Sequence, residues 1–189
     1  MNTVTLFYYI AAAHELPTGS FGQKKTFITL IDYVTKVNPA ARNQLPTQLL
    51  LEKYPQGDKL MEIYETEEDA AGLYITGPIT RQDYSHLFRH PWVYQVDPEG
   101  GSFKINDEIK QSHPLSYKTS KKCLTELFAY LRRNMGNGED IELYSCWAYG
   151  QERFADTPKK ELDHVLELST FQLENEFEWK ERQYIRVKK

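Results

Sequence analysis

The alternation of apolar and polar positions predicts β-strands in several parts of the chain. Residues 3–10 read TVTLFYYI, with apolar or aromatic side chains at both sets of alternate positions, which is typical of a strand with neighbours on both faces. Shorter runs at 59–65, 72–77, 92–97 and 102–106 are bounded by Asp, Gly and Pro residues. Their spacing favours hairpins of a mainly antiparallel sheet.

A helix followed directly by a strand is predicted in the second half of the chain. Residues 120–134 have apolar side chains at three- and four-residue spacing, two arginines in the last turn and a GNG stop signal. The next segment, 141–147, alternates Ile, Leu, Ser and Trp with Glu, Tyr and Cys, which is strand periodicity. The predicted helical stripe consists of Cys123, Leu124, Leu127, Phe128 and Leu131.

Three further segments give turn or ambiguous signals. The stretch DPEGG at 97–101 is the strongest hairpin signal in the chain. Residues 25–38 have helical spacing but a β-branched content that favours a strand, and we interpret them as a helix that ends before Pro39. Residues 171–187 alternate an apolar face with a charged one, as in a hairpin or in one long bent strand, and the pattern leaves both open.

Together these elements predict an α+β fold. We expect a single globular domain, residues 1–189, with a mainly antiparallel sheet, one helix at about 120–134 and one or two further helices. Neither an internal repeat nor a low-complexity segment interrupts the chain.

Composition and charge limit the classes of partner. The formal net charge of −4 disfavours a nucleic acid, whose phosphate backbone is itself negative. The first apolar run has no preceding Lys or Arg, and apolar stretches stay shorter than the roughly 18 residues of a membrane span, so we expect neither a signal peptide nor a membrane protein. The two cysteines are too few for a disulfide scaffold, which favours the reducing cytoplasm.

The stretch YSCWAYG at 144–150 resembles, in its letters, the segment around the active-site cysteine of papain-like proteases. That family starts a helix at the cysteine and has a glutamine six residues earlier, whereas here Cys146 continues a predicted strand and Asp140 occupies the earlier position. Only His164 follows within the 43 residues that remain. We therefore interpret Cys146 as a packed thiol rather than a nucleophile.

Other patterns of chemistry are also missing from the sequence. His86 and His90 are four residues apart, but Pro91 biases His90 away from a helix, so a metal site is not expected there. The glycine-containing segments do not form a dinucleotide or phosphate-loop motif. The sequence thus predicts no catalytic residue, no metal site and no cofactor.

Aromatic content is the remaining distinctive feature, because 13% of the residues are Phe, Trp or Tyr. Aromatic side chains are common in sheets, but Tyr and Trp are also enriched at recognition surfaces. We predict that Tyr144 lies on the face of the 141–147 strand that does not supply the core, and that Tyr149 follows in a loop that ends at a glycine. Both would present their rings to solvent beside Glu142 and Glu152.

The sequence therefore favours a soluble cytoplasmic binding domain over an enzyme. One form of such a domain is an inhibitor or immunity-type protein, whose acidic, aromatic surface captures a basic protein partner. The alternative is a small enzyme or a small-molecule-binding domain that uses the loop at 16–22, LPTGSFG. The oligomeric state stays open.

Overall fold

The structure is a computed structural model that describes residues 4–80, 82–149 and 154–189, without the side chains of Val4 and Tyr149. Helices and strands are both abundant, which confirms the α+β class. The strands are β1 (Val4–Ala12), β2 (Gly19–Phe21), β3 (Thr26–Thr29), β4 (Leu60–Ile63), β5 (Gly72–Thr76), β6 (Trp92–Glu99), β7 (Lys104–Ile105), β8 (Asp140–Tyr149), β9 (His164–Glu167), β10 (Phe177–Glu178) and β11 (Tyr184–Lys188). The α-helices are α1 (Leu30–Asp32), α2 (Leu45–Lys53), α3 (Glu67–Ala70), α4 (Asp107–Ser112) and α5 (Pro114–Asn134).

Contacts divide the described residues into two compact units. The main unit combines the residues up to Gln23 with those from Ala71 to Lys189, and the inserted unit is Lys24–Ala70. None of the helices in the described ranges is both long enough and apolar enough to cross a membrane.

The main unit is built on a seven-stranded sheet in the order β2-β5-β6-β1-β8-β11-β9. Every neighbouring pair is antiparallel except β11 with β9. Both β1 and β8 therefore lie well inside the sheet, as the apolar alternation of residues 3–10 and 141–147 predicts. The prediction of a mainly antiparallel sheet is confirmed.

Helix α5 covers one face of this sheet. Its predicted stripe is fully buried and forms one cluster with sheet residues such as Ile10, Val96 and Leu143. The helix begins at Pro114, six residues before the predicted start, because proline fits the first helical turn. Leu115 in that turn is 46% exposed, whereas Tyr117 is buried and extends the apolar contact of the helix with the sheet cluster.

A second, irregular layer covers the opposite face. Leu87 and Phe88 from the coil between β5 and β6, together with Phe154, form a cluster with Tyr9, Tyr144 and other residues of β1, β6 and β8. Because this layer contains neither helix nor strand in its described residues, it produces no periodic signal in the sequence. The central strands are thus buried on both faces.

The predicted hairpin at 97–101 is wrong. Strand β6 continues to Glu99 and pairs with β5 and β1, whereas β7 pairs with β10 in a separate two-stranded sheet. Gly100 turns the chain with φ +68°, and Gly101 lies so close to α5 that an added Cβ would be 2.9 Å from the Sγ of Cys123. The close packing of Gly101 directs the chain along the helix instead of back along β6.

The C-terminal segment adopts neither of the two arrangements that its alternation leaves open. Phe177 and Glu178 form β10 beside β7, and β11 joins the large sheet seven residues after Phe177. Between them, Trp179 is buried against the rings of Tyr8 and Phe103. A single alternating pattern therefore serves two different sheets.

The inserted unit is an antiparallel ribbon of β3 and β4, with α1, α2 and other short helical turns between the two strands and α3 after β4. The predicted helix at 25–38 is correct only in its second part, because residues 26–29 form β3 and the helical turns start at Leu30. The hydroxyl of Thr29 accepts a hydrogen bond from the N–H of Asp32 and so caps α1. Among the described residues, the buried apolar side chains of the inserted unit are Leu30, Val34 and Ala41.

Candidate functional site

The two described members of the predicted binding surface are buried. Tyr144 and Glu142 are both 0% exposed, so the prediction that the Tyr144 ring faces solvent is wrong. The hydroxyl of Tyr144 donates to the carbonyl of Asp156 at 2.7 Å, and its ring lies edge-on to Phe88 of the covering layer. Burial and the neighbouring charges raise the pKa of Tyr144 above its ordinary value.

The other two members of that surface cannot be compared with the structure. Glu152 lies outside the described residues, and only the backbone of Tyr149 is described, paired with Val4 at the end of β8. The prediction for these two side chains stays a prediction.

Glu142 holds the covering layer to the sheet. Its Oε1 accepts from the Nε of Arg89 at 2.7 Å and from the hydroxyl of Tyr184 at 2.5 Å. Its Oε2 accepts from the backbone N–H groups of Arg89 at 2.9 Å and His90 at 3.1 Å. Because each oxygen already accepts two hydrogen bonds, this carboxylate has no oxygen free to act as a base or a metal ligand.

Asp140 extends the same network to the surface. Its Oδ2 lies 2.6 Å from the Nη2 of Arg89 and 2.6 Å from the Nε of Arg186, and the Nε2 of His90 lies 3.4 Å from its Oδ1 without hydrogen-bond geometry. Burial acts to raise the pKa of Asp140, but the hydrogen bonds from Arg186 and Arg89 outweigh it and hold this pKa below its ordinary value. Two carboxylates and two guanidinium groups balance in charge, which is typical of a structural ion-pair network.

Neither cysteine is in an environment that activates a thiol. Cys146 is buried within strand β8 and does not begin a helix. Cys123 lies on the buried face of α5, and desolvation raises the pKa of its thiol to about 11. No group of three or more His, Cys, Asp or Glu side chains with metal-ligand geometry occurs in the described part of the chain.

The 16–22 loop is held against the main unit rather than open. The hydroxyl of Tyr94 accepts from the N–H of Leu16, the hydroxyl of Tyr130 donates to the carbonyl of Pro17, and residues 19–21 form β2 at the edge of the sheet. A surface depression of about 600 Å³ lies nearby, and Pro17 is its one lining residue from this loop. Most of the loop is thus used to complete the sheet.

Exposed apolar side chains are concentrated in the inserted unit. Ten large hydrophobic residues of the described ranges are strongly exposed, and seven of them lie between Phe27 and Tyr64. Single exposed hydrophobic residues are normal on protein surfaces, whereas large contiguous apolar patches are typical of interaction sites. These seven residues are Phe27, Ile31, Val37, Leu45, Leu49, Leu60 and Tyr64.

The β3–β4 ribbon arranges part of this set on one face. Phe27 pairs with Glu62, and Leu60 is two residues from Glu62, so alternation puts the three side chains on the same face. Tyr64, which directly follows β4, continues that alternation. We call Phe27, Leu60, Glu62 and Tyr64 the ribbon face; its three apolar members are 59%, 64% and 40% exposed.

Acidic residues follow the ribbon face in the chain. Five of the eight residues from 62 to 69 are Glu or Asp, and none is Lys or Arg. Lys25 forms an ion pair with Glu62 at 2.6 Å, and the remaining acidic residues extend into α3. The ribbon face therefore combines an aromatic and aliphatic centre with a negative border.

The helical spacing of residues 25–38 does not predict this surface, because it places Phe27 on the apolar stripe of a helix. In the structure Phe27, Ile31 and Val37 are exposed, and only Leu30 and Val34 of that stripe are buried. The run of acidic residues from Glu62 to Asp69 is the signal that was visible in the sequence.

Comparisons with known proteins give no relative: neither a protein-family model, nor a curated protein, nor a solved structure matches the chain.

Proposed function

We propose that this protein is a binding domain that captures a basic protein partner through the ribbon face. The observation that carries this proposal is the concentration of exposed Phe, Leu and Tyr side chains in one small unit with an acidic border. Apolar side chains supply the free energy of binding when a partner removes them from water. The negative border increases the rate of encounter with a basic partner and disfavours acidic ones.

The wider chemistry of the chain agrees with binding rather than catalysis. The buried carboxylate of Glu142 has no free oxygen, and the thiol of Cys123 has a raised pKa. We place this activity in the cytoplasm, where both cysteines stay reduced, and regard an inhibitor or immunity-type protein as one form of it. Acidic surfaces of this kind suit the neutralisation of a basic enzyme.

The alternative function, ligand binding at the 16–22 loop, has weaker support. The depression near this loop is lined by polar and charged groups, among them His14, Arg133 and Glu139, but Pro17 is its one contribution from the loop itself. Small-molecule sites are more often enclosed and largely apolar, with a few convergent polar groups.

A cross-linking experiment in the native cell tests the proposal. The full chain, a Phe27→Ser/Leu60→Ser variant and a matched control, Leu115→Ser/Val165→Ser, are each purified after cross-linking, and bound proteins are identified by mass spectrometry. The control residues are 46% and 50% exposed but belong to the main unit. We expect the full chain and the control to retain one partner with a basic contact face, and the ribbon variant to lose it.

Two results would contradict the proposal. One is equal recovery of the partner by the ribbon variant, which would show that the ribbon face is not the contact surface. The other is equal loss in both variants. All four substituted side chains are strongly exposed, so we expect their replacement to leave the core unchanged. Circular dichroism and thermal unfolding of each variant are compared with those of the full chain to check this.

A further inference from the structure

The ribbon offers an unpaired strand edge in addition to its apolar face. Strands β3 and β4 form a sheet of two strands, so among the described residues the outer edge of β4 pairs with no other strand. Exposed strand edges are templates for the addition of another strand. Proteins that bind peptides in this way obtain affinity from main-chain hydrogen bonds and specificity from alternate side chains.

The hydrogen-bond register shows which backbone groups of β4 are available. The N–H of Leu30 donates to the carbonyl of Lys59 at 2.7 Å, which makes them a hydrogen-bonded pair. Such pairs alternate along an antiparallel ladder, so Met61 is the next residue of β4 whose backbone groups face β3. The N–H and C=O groups of Leu60 and Glu62 therefore point away from β3, along the outer edge.

The side chains of the same two residues lie on the ribbon face. A strand added at this edge would have its side chains beside Leu60, Glu62 and Tyr64, in the order apolar, acidic, aromatic. A complementary segment would alternate apolar residues with Lys or Arg. Cross-strand pairs of opposite charge stabilise a sheet, whereas pairs of like charge destabilise it.

Charge also argues against a second copy of this chain as the added strand. Two β4 strands related by a two-fold axis at Glu62 would place the two Glu62 carboxylates directly opposite each other. The same register would place Lys59 of each copy opposite Glu65 of the other, so the repulsion is confined to the Glu62 pair. A basic segment avoids the Glu62–Glu62 contact, and the acidic residues from Glu65 to Asp69 favour it.

We infer that the partner contributes an extended, Lys- or Arg-rich segment that adds as a third strand to the outer edge of β4. This inference rests on the proposed function, since it names the segment that the ribbon face binds. The partner's apolar side chains would cover Leu60 and Tyr64, and its cationic side chains would pair with the acidic border. Main-chain hydrogen bonds to Leu60 and Glu62 would fix the register.

The test uses the full chain and an amidated peptide in which Lys and Val alternate. The peptide has about eight residues, because that is within the usual length of a strand. A second peptide has the same side chains, but alternate backbone nitrogens are methylated so that the donors facing β4 are removed. We expect the unmodified peptide to bind, measured by fluorescence anisotropy, and the methylated peptide to bind at least about tenfold more weakly. Amide exchange by NMR should slow at Leu60 and Glu62 in the complex.

Variants at Glu62 separate main-chain pairing from charge. Glu62→Gln keeps the outward N–H and removes the charge, whereas Glu62→Pro removes both, and proline is tolerated at a strand edge where the N–H faces outward. We expect Glu62→Pro to weaken binding more than Glu62→Gln does. Unfolding of the Glu62→Pro chain would leave the methylated peptide as the decisive comparison.

The outcomes distinguish this inference from the proposed function. Equal binding of the two peptides, or unchanged amide exchange, would overturn strand addition; the proposed function would survive if Phe27→Ser/Leu60→Ser still abolished binding. If no substitution in the ribbon changed peptide binding, both strand addition and the proposed function would be overturned. Failure of the unmodified peptide to bind the full chain would overturn the inference, while the cross-linking experiment would decide the proposed function.

Discussion

Replacement of Glu142 by glutamine tests whether this carboxylate holds the covering layer to the sheet. Glu142 is fully buried and accepts four hydrogen bonds from Arg89, His90 and Tyr184. Glutamine has almost the same size but one acceptor oxygen, and its NH₂ group would face two of those donors. The substitution therefore removes the charge and two acceptor positions without leaving a large cavity.

The magnitude follows from these contacts. A buried donor that loses its acceptor costs about 1–3 kcal/mol, and removal of one partner from a buried ion pair costs about 3–5 kcal/mol. The side chain of Arg89 is 53% exposed, so water can replace part of what its guanidinium loses. We therefore expect Glu142→Gln to lower the free energy of unfolding by about 2–4 kcal/mol.

Urea denaturation measures this difference, with Glu167→Gln as the matched control. Glu167 lies 3.7 Å from Lys188 with both side chains largely exposed, so its replacement should leave the midpoint unchanged within error. Limited proteolysis of Glu142→Gln should also show faster cleavage between residues 82 and 91, because the backbone N–H groups of Arg89 and His90 lose the carboxylate oxygen that accepts from them. A loss below about 1 kcal/mol, with unchanged cleavage, would refute the role assigned to Glu142.

Three further predictions concern the core and its titratable groups. Leu127→Ala should lower the free energy of unfolding by about 2–5 kcal/mol, because Leu127 is fully buried on the face of α5 that packs on the sheet. Replacement of the exposed Thr125 by Ala is the control in the same urea experiment, and equal midpoints would contradict this packing. The pKa of Asp140 is lower in the folded protein than its unfolded-state value of about 3.9, so ionised Asp140 stabilises the fold above about pH 3.9, and this stability is lost as pH falls through the folded-state pKa. Asp140→Asn should therefore lose less thermal stability on acidification than the unmodified protein does. Parallel curves of melting temperature against pH for the two proteins would contradict this role of Asp140. Cys123 and Cys146 are buried, so a thiol reagent should modify neither in native protein and both in urea; rapid native labelling would show that the core opens.

Periodicity in the sequence predicts the elements with the strongest one-sided or two-sided burial. Strands β1 and β8 and helix α5 are long, and their apolar positions recur with the period of the element that they form. The burial of Tyr144 could not be predicted in the same way. The covering layer is irregular, and its contact with β8 depends on the Arg89–Glu142 pair, whose members are 53 positions apart.

The exposure of the ribbon face could not be predicted from the sequence, for a different physical reason. Apolar spacing is usually read as a sign of burial, but in the inserted unit much of it is on the surface. Phe27 fits both a helical stripe and an exposed strand position, and only its pairing with Glu62 decides between them. Long-range pairing of this kind is set by the tertiary structure and not by the local pattern.

The position of the inserted unit in the chain has a consequence for how such a protein can change in evolution. The chain leaves the large sheet at Phe21 and rejoins it at Gly72, one residue before the Leu73 with which Phe21 pairs. The intervening segment therefore stands where a short turn would close the same hairpin. The length and content of that segment can change without a shift in the register of any other strand. A single recombination event could therefore replace the whole ribbon face while the descendant inherits the sheet and its long helix. Relatives that arose in this way would share their sequence on either side and diverge abruptly between Gln23 and Ala71.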